Sequence, residues 1–204
     1  MKVLVACEES QAVCIEFRKL GHEAYSCDIL PCSGGHPEWH IQSDVLEQLD
    51  KGWDLMIAHP PCTFLSRAGA RWLYKGGVLN KERYRKGIEA KLFFMKLLVA
   101  PIKYIAIENP TPFKIFRLPM YTQSIQPYEY GHPYSKRTLL WLKNLPMLEP
   151  TNILNKWEPY LPSNVSGKKK GQKYSFGVVH NAKESSKTFK GIAKAMAEQW
   201  GGKL

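Results

Sequence analysis

With 204 residues, 44% of them hydrophobic and 23% charged, the chain is long enough for one α/β domain with a sizeable core and short for two. That composition excludes a disordered, collagenous or coiled-coil chain, and no apolar run reaches the roughly 18 residues that cross a bilayer. From Met1 the sequence turns acidic at Glu8, where a secretory signal would stay apolar, so neither a membrane nor an exported location is expected. Basic residues outnumber acidic ones by 29 to 18, a net charge of +11 that fits a polyanion, nucleic acid first, or a plain basic solvated surface. Five cysteines, an odd number, point to reduced thiols in a cytoplasmic setting.

In chain order, KVLVA (2–6) reads as an apolar strand, followed by a helix capped by Ser10 and ended by Gly21. EAYSC (23–27) is a second strand that delivers Asp28, and DLMIA (54–58) a third that runs into His59-Pro60-Pro61-Cys62. A long helix over roughly 81–99, with an apolar side at Leu92, Phe93, Met95, Leu97 and Leu98, leads to a fourth strand, 103–109, ending in Glu108-Asn109. Such alternation predicts an α/β fold with a mostly parallel sheet, whose ligands sit beyond the carboxyl ends of the strands. Asp28, Cys62 and Glu108 all fall there. RTLLWLKN (137–144) reads as a strand paired with 124–130, giving the sheet an antiparallel edge. Residues 145–186 read as a loop or small lobe, and 187–200 as a closing helix. The whole forms a single domain.

Pro60-Pro61 makes a stiff turn after a buried strand and removes backbone donors, so Cys62 is either a rigidly held nucleophile or a small buried thiol. In a doubly wound sheet Glu108 ends the adjacent strand. A thiolate adding to an electron-poor ring carbon needs such an acid beside the ring, whereas a lone glutamate is otherwise a helix cap or a surface carboxylate.

The chain resembles the DNA (cytosine-5)-methyltransferases, in their compact phage or prophage form. The resemblance rests on the first strand unit through Cys27-Asp28, on Ser43-Asp44, His59-Pro60-Pro61-Cys62, Glu108-Asn109-Pro110 and Ser135-Lys136-Arg137-Thr138-Leu139-Leu140-Trp141, and on the closing segment 189–200. It implies a Rossmann-like methyltransferase fold, S-adenosylmethionine as cofactor and DNA as substrate. By resemblance, Cys62 is the nucleophile on cytosine C6, Glu108 contacts N3 and the amino group, and Arg137 supports the nucleotide. Asp28 would bind the ribose hydroxyls and Asp44 approach the adenine; Cys7 and Pro60 are further cofactor-side candidates, and Glu8, in the turn where the family has glycine, would face the cofactor's cationic methionine end. The chain differs from the family in two ways: the turn Ala6-Cys7-Glu8-Glu9-Ser10-Gln11 has no glycine, and 145–186 is short for a target-recognition region.

GKKKGQK (167–173) reads as a phosphate-contacting loop carrying Lys168, Lys169, Lys170 and Lys173, or as a solvated charge run. Arg67, Arg71, Arg83 and Arg85 form a second candidate phosphate surface. Cys27, Cys32, His36 and His40 lack a standard zinc spacing and read as a cofactor-edge loop, with no metal expected. Three alternatives remain open at this point: methylation of an exocyclic amino group, a catalytically silent DNA-binding or host-interaction protein on the same fold, and alkylation of a free pyrimidine nucleotide.

Overall fold

The computed structural model describes residues 1–162, 178–180 and 186–202. Lys168, Lys169, Lys170 and Lys173 lie outside them, and so does the side chain of Arg71.

Seven strands form the central sheet: β1 (Lys2–Ala6), β2 (Glu23–Asp28), β3 (His40–Gln42), β4 (Leu55–Ala58), β7 (Tyr104–Asn109), β8 (Gln123–Ile125) and β10 (Thr138–Lys143). Two short strands, β5 (Tyr74–Lys75) and β6 (Val78–Leu79), make a separate hairpin. Their order is β3-β2-β1-β4-β7-β10-β8, with the first five parallel and β10 antiparallel to both its neighbours. The fold is therefore α/β and Rossmann-like, mostly parallel with an antiparallel edge. The chain winds outward from β1 to β3, then crosses back to β4 and winds the other way, so the topological switch point lies between β1 and β4.

β1 is buried on both faces. Val3 and Val5 pack with α1 (Ala12–Lys19) and α3 (Lys190–Gly201), through Val13, Phe17, Met196 and Trp200. Leu4 and Ala6 face α2 (Lys81–Leu98), through Phe94 and Leu97. This run of apolar residues without alternation is what a parallel strand covered by helices requires. α2 starts at Asn80, whose side chain accepts from the Arg83 N–H, and its solvent side carries Glu82–Lys86 and Arg85–Glu89 pairs one turn apart.

The structure departs from the sequence reading at several element ends. Ser10 does not cap α1; Gln11 occupies the cap position in a left-handed conformation, and the Glu8 carboxylate accepts from Val13 N (2.8 Å) and Cys14 N (3.3 Å) instead. The strand expected at 124–130 stops at Ile125, because Pro127 fixes φ and opens a 3-10 turn boxed by Gln126 and Glu129. α3 begins at Lys190, not 187, with the Gly191 N–H donating to Nε2 of His132. Within 145–186, β11 (Glu158–Pro162) pairs in parallel with β9 (Tyr134–Ser135) and with β12 (Val178–His180), so part of the expected loop is sheet.

Candidate active site

Side-chain parity in the sheet decides which strand-end residues meet. On β7, Ile105 and Ile107 face α2, so Glu108 turns to the α3 side; His59, next after β4, turns the same way. His59 Nδ1 lies 3.0 Å from Glu108 Oε2, both side chains being largely buried, at 11% and 16% exposed. Burial alone would raise the Glu108 carboxyl, but its hydrogen bond with His59, the His59 and Lys136 charges and a Thr188 hydrogen bond hold it below the usual range. Burial likewise opposes a charge on His59, and Glu108 and Glu8 overcome it and raise its pKa. Among the described residues, Nε2 of His59 has no hydrogen-bond partner and is buried.

Cys62 is half-buried at the head of a tight turn, its carbonyl accepting from Leu65 N and Ser66 N. The turn is tied to the loop after β7: Arg67 N donates to Thr111 O, Phe113 N to Leu65 O, and Asn109 Nδ2 to Pro60 O (2.9 Å). Cys62 and Glu108 are thereby fixed to one another. Burial and the Glu108 charge push the Cys62 thiol up, while the Lys136 ammonium opposes them, so the resting thiol is protonated near neutral pH.

Two adjoining clefts, each of about 750 Å³, open over the switch point. One, called the outer cleft, is lined by Cys7, Cys27, Asp28, Ile29, Leu30, Ser43, Asp44, Val45 and Phe93 among others; the second, called the inner, by Glu8, Glu9, Ser10, His59, Cys62 and Thr188 among others. Cys7, Asp28, Leu30 and Pro61 belong to both, so a ligand reaching from one to the other passes Asp28 and Pro61. Asp28 accepts from Leu30 N through one oxygen, and Asp44 from Leu46 N. Ile29 and Leu30 are exposed at 71% and 56%, apolar surface beside two carboxylates.

The glycine-free turn has the shape that glycine would give it. Cys7 and Gln11 both adopt φ of 59°, in the left-handed region. Gln11 is wholly buried and its amide clamps the neighbouring loop, donating to His36 O and accepting from His36 N and the Cys32 thiol. Gly34 supplies the close approach on the facing side, since a side chain there would overlap Ser10 and Gln11.

Of the residues read from the sequence, Cys62 and Glu8 line the inner cleft, Asp44 the outer, and Cys7 and Asp28 both. Glu108 stands behind the inner cleft, bonded to His59, one of its wall residues. Pro60 is buried, and it is Pro61 that lines the clefts. Burial and Asp28 push the Cys7 thiol far up. Glu8 spends its carboxylate on α1 rather than on a ligand. Arg137 is not brought to the cluster: parity sets it on the opposite face, where it donates to Tyr121 Oη (2.8 Å) and Ser124 Oγ. Lys136, on the face of Glu108 and Leu140, is the cation that acts on Cys62, Glu108 and His59. Sequence reading gave no role to Lys136, His59 or Thr188, although the first two stand in the motifs quoted; the alternation leading into β10 carried the signal for Lys136. Arg67 is exposed on the turn after Cys62, and Arg83 donates to Thr63 O and stacks over Phe64. Among Cys27, Cys32, His36 and His40 each side chain is bonded elsewhere, His40 through both ring nitrogens to Ser26 and Leu30.

No protein-family model matches the chain. No curated protein matches it either. Among solved structures, an E. coli chain described as a DNA modification methyltransferase encoded within a prophage is similar over 74% of this chain, at 13% identity and a TM-score of 0.45. This chain spans about half the length of that structure, 51%. The fold assignment accordingly rests on the strand order itself.

Proposed function

We propose that the protein is a DNA methyltransferase that uses S-adenosylmethionine and methylates cytosine at C5 through a covalent Cys62 adduct. The observation that carries this reading is the pair of adjoining clefts at the switch point, one walled by strand-end carboxylates and the other by Cys62 and the His59 partner of Glu108. Glu8 supports the choice of cofactor. It fills the amino end of α1, where a dinucleotide would place its pyrophosphate, and leaves a site for an adenosyl group without phosphates. S-adenosylmethionine, when bound, supplies the electrophilic methyl group.

Asp28 is suited to accept from ribose hydroxyls, and Asp44, across the outer cleft, from an adenine amino group; Ile29 and Leu30 offer apolar cover to the rings. Cys62, once ionised, bonds to C6 of the target base. Electron density then moves onto C5 and N3, and in this reading Glu108, reached through its bond to the cleft-wall His59, is assigned the stabilisation of the ring. After transfer the C5 proton passes to water, the C5=C6 bond re-forms, and the thiolate leaves. A base in duplex DNA must leave the stack to reach Cys62, at a cost of a few kcal/mol. The net charge of +11 and the exposed Arg67 on the turn after Cys62 suit a DNA backbone.

Calorimetric titration of S-adenosylmethionine, followed by nucleoside analysis of methylated DNA, tests the reading. Binding weakened ten- to a hundredfold by Asp28→Ala, as expected from losing charge-assisted hydrogen bonds of about 1.5–3 kcal/mol, with the methyl at C5, supports it. Equal binding by the folded variant, or methyl on the exocyclic nitrogen, overturns it.

A further inference from the structure

His59 is placed where it does more than fill space. Its Nδ1 is bonded to Glu108 Oε2, its buried Nε2 has no partner among the described residues, and it forms part of the inner cleft beside Cys62. The charged and titratable groups that act on the ring are Glu108 from β7, Glu8 from the turn after β1 and Lys136 from the segment before β10. Two carboxylates against one ammonium favour an imidazolium, in spite of burial.

We infer that His59 is a positioning residue acting through Glu108, and that it supplies the proton that N3 of the target base takes up when Cys62 adds to C6. The inference rests on the cytosine-5 reading of the site. In the addition, the Cys62 thiolate forms the S–C6 bond and the ring electrons shift to N3. His59 Nδ1 gives its proton to the Glu108 carboxylate, which hands it on to N3, so that His59 becomes neutral and Glu108 ends ionised as it began. In the elimination the N3 proton returns by the same route, the C5=C6 bond re-forms, and the S–C6 bond breaks. No external oxidant or reductant enters. Two titrations then bracket the rate: Cys62 must lose its proton and His59 must keep its own.

The test has two arms. In the first, exchange of the cytosine C5 hydrogen for solvent deuterium is followed in DNA against pH, since the adduct's C5 picks up a deuteron and releases the proton. His59→Asn keeps a donor toward Glu108 but cannot carry the extra proton. Exchange is expected to fall about a hundredfold in this variant, within the range of general acid catalysis, with the alkaline limb of the wild-type profile abolished. Calorimetry with S-adenosylmethionine verifies that the variant is folded. An unaltered rate and pH profile overturns the inference. In the second arm, the His59 imidazole is titrated by NMR, its signal assigned by its absence in His59→Asn. Its midpoint is expected above the ordinary value and to fall in Glu108→Gln; a midpoint indifferent to that change overturns the inference whatever the reaction. If the wild type exchanges no C5 hydrogen while the His59–Glu108 coupling is intact, the cytosine-5 reading fails, and the proton role with it.

Discussion

Glu8→Ala removes the group that anchors α1 under the switch point. The carboxylate accepts from Val13 N at 2.8 Å and Cys14 N at 3.3 Å, and Glu8 is only 4% exposed, so water does not readily take its place. Losing a helix cap costs about 0.5–2 kcal/mol, and leaving buried donors unpaired about 1–3 kcal/mol. Against this stands the relief of burying a carboxyl whose pKa burial pushes up. A net loss of about 2 kcal/mol follows, and in a domain of this size each kcal/mol lowers the melting temperature by roughly 2–4 °C, giving about 4–8 °C. Glu8→Gln retains an acceptor oxygen and should lose less than half as much. Melting followed by circular dichroism measures both. Glu8→Ala also frees an anion site at the amino end of α1, so inorganic phosphate should raise the melting temperature of the variant more than that of the wild type. Equal melting of Glu8→Ala and wild type, or equal response to phosphate, would refute the capping role and the exclusion of a pyrophosphate cofactor built on it.

Lys136→Gln should push the Cys62 thiol further up and slow its alkylation by iodoacetamide at pH 8 several-fold, whereas Arg137→Gln should leave the rate unchanged; peptide mass spectrometry reads the modified thiol. His132 accepts the Gly191 N–H at the start of α3, and burial lowers its pKa from 6.5. Since the unfolded chain binds the proton first, this contribution to stability is complete above about pH 6.5 and shrinks as pH falls through the folded value. Urea midpoints between pH 7 and 5 should drop more in wild type than in His132→Asn; parallel curves would dismiss the cap.

The strands that carry the clefts were legible because a parallel sheet covered on both faces writes itself as short apolar runs, KVLVA, LMIA and YIAIEN, each ended by a polar or prolyl residue. The strand-end rule then placed Asp28, Cys62 and Glu108 together without further information. What failed was local and conformational. Nothing in the residue types marks Cys7 and Gln11 as left-handed, so the turn looked incomplete without glycine, and a glutamate three residues ahead of the helix cap gave no sign that it would fold back onto α1. The choice between Lys136 and Arg137 turned on a single step of the alternation leading into β10, visible only once Leu140 is paired with Glu108. β3, three residues long, carries too short a pattern to separate from the surrounding loop.

The central claim is a sulfur nucleophile at Cys62, and DNA containing 5-fluorocytosine addresses it directly. Fluorine at C5 cannot leave as a proton, so after methyl transfer the adduct cannot be eliminated and the protein stays covalently attached to the DNA. The account predicts a complex stable to denaturant, formed only with S-adenosylmethionine present, with the modified base located on the Cys62 peptide by mass spectrometry and absent in Cys62→Ser. Full methylation by Cys62→Ser, or methylation of ordinary cytosine with no trapped complex on the fluorinated base, would contradict it.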